Sequence, residues 1–281
     1  MQDEAWLAGL ANEAGAQVLW WYLVGLVGML AVGVGAGLLL QRRLSRAALP
    51  ATSSGHRLWQ SLLSGLGLGL ALIAAAALVF AMLAGNLVAE ASLVRFDRLL
   101  SAAIQAQAEP WAHRFFALVT HFGDTATLTV LCIAGAATLL LLRRPLLALG
   151  LVAASGGNSL LNPALKEIFE RTRPLLESDR GFDGWSFPSG HASGAVAAYG
   201  MLAYILLRLL PGRWHLPVIL AAIAIAFSTG FSRIYLQAHY LSDVIAGFAS
   251  GTAWLTVCIA GIELTRMRLG GRSEANSRVS P

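Results

Sequence analysis

Charged positions along the 281-residue chain are gathered into short clumps separated by long apolar runs. Seven stretches of at least 18 residues contain no Asp, Glu, Lys or Arg: 14–41, 58–89, 125–142, 145–165, 184–207, 214–232 and 244–262. About 20 apolar residues wound as a helix cross a hydrocarbon core, and none of these runs has the two-residue alternation of a barrel strand. Backbone amides in lipid must be satisfied within their own segment. The pattern therefore predicts an all-α polytopic membrane bundle of seven spans. Pro188, Pro211 and Pro217 blur the ends of the last three.

Composition agrees: 57% of residues are apolar and 12% charged, with a mean hydropathy of +0.65, against about 25% charged in a soluble domain. A soluble or disordered chain is excluded. The gaps at 42–57, 143–144, 208–213 and from 263 onward hold 12 Arg against 2 Glu, whereas the alternate gaps hold 8 basic and 13 acidic residues. Basic residues are retained on the cytoplasmic side. The N-terminus, with Asp3, Glu4 and Glu13, is thus expected outside, in the periplasm of a bacterial inner membrane, and the C-terminus inside. The net charge of +5 reads as topology-setting Arg beside anionic lipid and needs no nucleic-acid partner. The first apolar run lacks a basic leader and exceeds a signal h-region, so it reads as a span. The expected organisation is an N-terminal transmembrane helix and basic linker at 1–57, a six-helix unit at 58–262, and a cytoplasmic tail without fixed structure at 263–281. Cys132 and Cys258 fall in different spans and read as apolar thiols rather than a disulfide.

Three polar clusters stand at span ends, all in gaps assigned to the outer face. Lys166 is followed seven residues later by Arg173-Pro174; a helix continuing to the proline would place both cations on one face, where they attract an anion. Glu167 and Arg171 have the spacing of a surface ion pair. Phe187-Pro188-Ser189-Gly190-His191 runs into a small-residue helix whose first amides and dipole suit a phosphate, although Ser189 equally suits an ordinary cap. Finally, Ser232-Arg233 precedes His239 and Asp243. If that stretch is helical, the carboxylate lies one turn from the imidazole and holds one ring nitrogen, leaving the other free. Three cations, helix-end amides, two His and an Asp are what phosphoryl transfer asks for.

These residues resemble the type 2 phosphatidic acid phosphatase family, the membrane lipid phosphate phosphatases. Its signature is Lys, six residues, Arg-Pro; then Pro-Ser-Gly-His; then Ser-Arg, five residues, His, three residues, Asp. Lys166, Arg173, Pro174, Pro188, Ser189, Gly190, His191, Ser232, Arg233, His239 and Asp243 fill every position. The resemblance implies a six-helix core and a metal-independent, cofactor-free, two-step hydrolysis. His239, oriented by Asp243, attacks phosphorus to give a phosphohistidine, and His191 protonates the leaving oxygen and then activates water. Lys166, Arg173, Arg233, Ser189 and the Gly190 amide bind the phosphoryl oxygens. The implied substrate is a membrane lipid phosphate of the phosphatidic acid, phosphatidylglycerol phosphate or undecaprenyl diphosphate class, met at the outer leaflet.

Alternative readings are a phosphotransferase using the same intermediate, a non-enzymatic phospholipid-binding or transport protein, and a metal hydrolase with His191, His239, Asp183 and Asp243 as ligands. Three neighbouring cations oppose the last. Elsewhere, Asp124 reads as the N-cap of the third span, and Asp97, Arg95 and Arg98 belong to an interfacial amphipathic helix. Trp111, Phe115, Phe116 and His121 are candidates for one wall of a lipid entrance. Trp20, Trp21 and Tyr22 read as bilayer-interface anchors, and His56 and His215 as solvated bystanders.

Overall fold

A computed structural model describes residues 2–47, 54–89, 92–174 and 184–279. All regular structure among them is helical: α1 (Gln2–Ala16), α2 (Val18–Ala47), α3 (Ser54–Val88), α4 (Ser92–Ala106), α5 (Pro110–Val119), α6 (Thr125–Leu141), α7 (Pro145–Phe169), α8 (Gly190–Leu209), α9 (His215–Tyr235) and α10 (Leu241–Val279), with short 3-10 turns at Thr120–Gly123 and Gly212–Trp214.

Helices cover most of each apolar run, although 184–189 precede the helix at Gly190; among the described residues five helices rather than the expected seven (α2, α3, α8, α9 and α10) are long and apolar enough to cross a membrane. α6 counts as a sixth when taken with α5 and its 3-10 turn, across a 44° bend at Asp124. The apolar run of α7 is interrupted by Asn158, Asn162 and Pro163. Both Asn side chains are buried, as polar groups on a membrane helix must be. Leu141 and Leu160, 84% and 78% exposed, belong to the apolar outer surface that hydrocarbon would cover.

The interior is organised around α8, which packs against α7, α9, α10 and α6. Its inner face is Ala192, Ser193, Gly194, Ala195, Ala197 and Ala198, and small residues let membrane helices approach backbone to backbone. The closest approach is to α10: a Cβ at Gly247 would stand 2.6 Å from the Ser189 carbonyl, and one at Gly251 2.7 Å from that of Ser193. The Ser189 amide, in turn, donates to the Asp243 carbonyl at 3.0 Å. These contacts bind the start of α8 to the start of α10.

Three features depart from the sequence reading. Residues 2–16, expected only as an outer N-terminus ahead of the first span, form α1, which packs on α4; a Cβ at Gly15 would lie 2.5 Å from that of Ala103. Tyr22 is not an interface anchor. Its ring lies 4.9 Å from Phe231 and 5.2 Å from Phe116, and its hydroxyl hydrogen-bonds with Ser228 at 2.9 Å, while Trp20 and Trp21 do face outward. The helix α10 also runs on to Val279, through most of the tail expected to lack structure, because no proline interrupts Ile262 to Ser280. Cys132 and Cys258 are free thiols. His56 lies where side chains are not described, and His215 is half-buried near the Leu210 carbonyl.

Candidate active site

At the end of the bundle where α6, α8 and α10 begin and α7 and α9 stop, a cavity of about 490 Å³ is lined by Lys166, Arg173, Gly190, His191, Arg233 and His239. The three polar clusters, 77 residues apart at their extremes, share one chamber. Arg233 sits in the last turn of α9, 5% exposed, and donates to Thr120 Oγ1 at 3.0 Å.

His239 and Asp243 meet by a different route from one helical turn. α9 ends at Tyr235, Gln237 takes a left-handed φ of 62°, and the amides of Ala238 and His239 both return to the Arg233 carbonyl at 2.9 and 3.1 Å. This tight turn drops His239 before α10 starts. Asp243 Oδ2 accepts the Tyr240 amide at 2.9 Å, capping α10, and stands 3.5 Å from His239 Nδ1. That separation is long for a formed hydrogen bond, as is common before substrate binds. On the opposite edge of the ring, Nε2 is 3.5 Å from Arg173 Nη1, so Nε2 faces the cations and Nδ1 the carboxylate.

Lys166 and Arg173 do not share a helical face. α7 stops at Phe169, and Glu170 adopts φ 43°, turning the chain so that Arg173 approaches from beyond the helix. Its Nη1 donates to the Ala238 carbonyl at 3.1 Å and its Nε to that of Gly184 at 3.1 Å, tying the two loops together.

Gly190 opens α8 on the cavity, where a Cβ would come within 2.9 Å of Asn162 Oδ1. Ser189 does not line the chamber. It is fully buried and its hydroxyl accepts from the Ala192 amide at 3.5 Å, the ordinary cap that its position allowed. His191 meets Asp124, whose Oδ1 is 2.9 Å from Nε2 while Oδ2 is 2.6 Å from His121 Nδ1. Asp124 occupies the N-cap position of α6 but its side chain makes no cap bond.

The same turn uncovers a buried ionic cluster. Arg171 does not pair with Glu167, because the helix has ended between them. Its Nη1 donates to Asp243 Oδ1 at 2.5 Å and to Ser242 Oγ at 2.7 Å, and its Nη2 to Asp97 Oδ2 at 2.8 Å. Asp97 also accepts the Ser242 amide at 3.3 Å and the Ser242 hydroxyl. Its side chain and that of Asp243 are wholly buried, with Arg171 at 9%, and the guanidinium lies 4.3 Å over the Tyr240 ring. Burial opposes the Arg171 charge, yet Asp243 and Asp97 hold its pKa above the ordinary value. Asp97 is thus no surface residue of an interfacial helix. The signal was in the sequence: with Leu100 and Ile104 it completes the buried stripe of α4.

Burial, followed by the charges of Arg233, Arg173 and Lys166, holds the His239 pKa well below the usual imidazole value, keeping the ring neutral. Among the described residues no three His, Cys, Asp or Glu side chains converge as a metal-binding group; Asp183 of the metal alternative lies outside them.

An imidazole with a depressed pKa, a carboxylate behind it, three cations and a second imidazole thus meet at one end of a membrane helix bundle. The PAP2 superfamily model matches residues 145–266. Phosphatidylglycerophosphatase B of Bacillus subtilis (strain 168) is 33% identical over 157 residues, 55% of this chain and 77% of that protein. A lipid A 1-phosphatase of Rhizobium johnstonii is 37% identical over 113 residues, 37% of this chain and 42% of that one. The crystal structure of a transmembrane PAP2 type phosphatidylglycerolphosphate phosphatase from Bacillus subtilis superposes with a TM-score of 0.63 at 29% identity, over 68% of this chain and 96% of that one. The chain belongs to the PAP2 superfamily, the family that its signature resembles.

Proposed function

We propose that the protein is a membrane phosphatase that removes phosphate from a lipid phosphate or prenyl diphosphate at the outer face of the membrane, through a phosphohistidine and without a metal. The observation that carries this reading is the convergence of His239, His191, Lys166, Arg173 and Arg233 on one cavity at one end of the bundle. On this reading 58–262 is the catalytic unit, and the Arg-rich gaps at 143–144 and 208–213, at the ends of α6 and α8 away from the cavity, support an outward-facing site.

The cations and the first amides of α8 neutralise the phosphoryl oxygens as charge builds on them. The lone pair of His239 Nε2 forms the N–P bond, the P–O bond breaks, and the departing oxygen takes a proton from His191. Asp243 keeps the proton of His239 on Nδ1 and stabilises the cationic ring. Water then attacks phosphorus, His191 accepts its proton, and the N–P pair returns to His239. The relatives' names, a phosphatidylglycerophosphatase and a lipid A 1-phosphatase, support a lipid phosphate over a soluble one.

The test is phosphate release by purified protein in detergent from phosphatidic acid, phosphatidylglycerol phosphate and undecaprenyl diphosphate, with and without chelator, beside His239→Ala. The reading expects turnover of at least one lipid, unaffected by chelator and abolished in the variant. A fully active His239→Ala protein would overturn it.

A further inference from the structure

Asp97 lies outside the stretch matched by the family model, on a helix that precedes it, and touches neither the cavity nor His239. It is nonetheless one bond-chain away from the reacting ring, through Arg171 and Asp243. The charges in that chain do not cancel. Two buried carboxylates share one guanidinium, and each of the contacts to Asp97, from Arg171 Nη2, the Ser242 amide and the Ser242 hydroxyl, comes from a group that donates. The Ser242 hydroxyl accepts from Arg171 and so has its proton free for Asp97. Burial, the largest influence, and the neighbouring Asp243 raise the Asp97 pKa above the ordinary carboxylate value, against the pull of Arg171 and Ser242; the donors on both oxygens are the geometry that a carboxylate accepts. With both carboxylates ionised, Asp97, Arg171 and Asp243 together carry one negative charge in excess, in a site shielded from water.

A buried excess charge is costly unless it is paired, and on the side of the ring away from the three cations it has a counterpart in the imidazole itself. When Nε2 of His239 bonds to phosphorus while Nδ1 keeps its proton, the imidazole becomes cationic, 3.5 Å from the carboxylate at the near end of the chain. We propose that Asp97 is a positioning residue for the reaction: through Arg171 it supplies the second negative charge that the buried cluster holds ready for the cationic phosphohistidine, and it fixes the guanidinium that aims Asp243 at Nδ1. This rests on the phosphohistidine reading above. A charge placed before the reaction stabilises what develops in it without reorganisation, so its removal falls on the chemical step rather than on lipid binding.

The experiment compares the full-length protein with Asp97→Asn, which keeps the shape and removes the charge, and Asp97→Glu, which keeps the charge. Both are assayed for kcat and KM on the lipid that wild type turns over best, and by rapid quench for labelled phosphoenzyme. Asp97→Asn is expected to lower kcat and the rate of phosphoenzyme formation together by about tenfold or more, with KM changed by less than about threefold. Asp97→Glu is expected to recover part of the loss. A residue that only held α4 in place would give no charge-dependent difference between the two. If Asp97→Asn does not accumulate as folded protein, Asp97→Ser, small, polar and uncharged, carries the same expectation. Asn or Ser at 97 with wild-type kcat overturns the proposal, as does a loss confined to KM. His239→Ala in the same assay separates the two levels: if it retains activity the phosphohistidine reading fails, whereas an inactive His239→Ala beside a fully active Asp97→Asn removes only the role given to Asp97.

Discussion

Arg171 Nη1 stands 2.5 Å from Asp243 Oδ1, so the carboxylate behind His239 is held on one oxygen by an ion pair and on the other by the amide that it caps. Orientation of the imidazole partner is built into the packing before any substrate arrives.

Removing one member of a buried pair leaves the other charge uncompensated, at a cost of about 3–5 kcal/mol. Arg171→Ala is therefore expected to lower the thermal unfolding midpoint in detergent clearly and to inactivate the enzyme. Arg171→Lys, with a single nitrogen for two carboxylates, should fall between. An unfolding midpoint indistinguishable from wild type in Arg171→Ala would show that the cluster contributes nothing net.

Arg173 and Arg233 reach the cavity from different elements, so their losses test one role by two routes. Single donors to developing oxyanion charge are worth about 10²–10³ in turnover. Arg173→Ala and Arg233→Ala should each lose kcat on that scale while still inserting in the membrane, measured as specific activity per membrane-embedded protein. Near-normal rates in both would contradict phosphate binding there.

The pH profile carries a sign. Because burial and three cations disfavour the protonated ring of His239, its neutral form survives below the ordinary imidazole pKa of about 6.5. The acid limb of kcat/KM assigned to this group should lie below that value. Deleting the Arg173 charge removes part of the repulsion, so the same limb in Arg173→Ala should move to higher pH. A shift in the opposite direction would remove His239 as the titrating group.

Gly247 lets α10 meet the Ser189 carbonyl. A valine there must push the two helix starts apart, and overpacking of this kind costs about 1–3 kcal/mol. Gly247→Val is expected to lower the unfolding midpoint by several degrees and to cut turnover, because His191 and Asp243 sit on the two parts being separated. Full activity in that variant would mean that the start of α8 tolerates displacement.

The bundle and the eleven signature positions were readable from the chain because each depends on local spacing: charge-free runs mark helices, and residues seven or four apart mark the clusters. What was not readable depends on helices distant in sequence. Asp97, Arg171 and Asp124 each had a sufficient local explanation, as an amphipathic-helix residue, a partner for Glu167 and a helix cap. Only the approach of α4 to α10, the end of α7 at Phe169 and the placement of His191 beside α6 reassign them. Lys166 with Arg173, and His239 with Asp243, were expected to meet along continuous helices. They meet through turns at Glu170 and Gln237, whose left-handed conformations carry no sequence mark as clear as glycine.

The ionic cluster joins residues 97, 171 and 243, which leave the ribosome in that order. Without the last membrane segment, the guanidinium would lack one of the two carboxylates that it contacts in the fold, and His239 would lack Asp243. On the proposed mechanism, a chain lacking its final helix would hold the pieces of a phosphate site without the carboxylate behind His239, so that hydrolysis would wait for that helix to be seated.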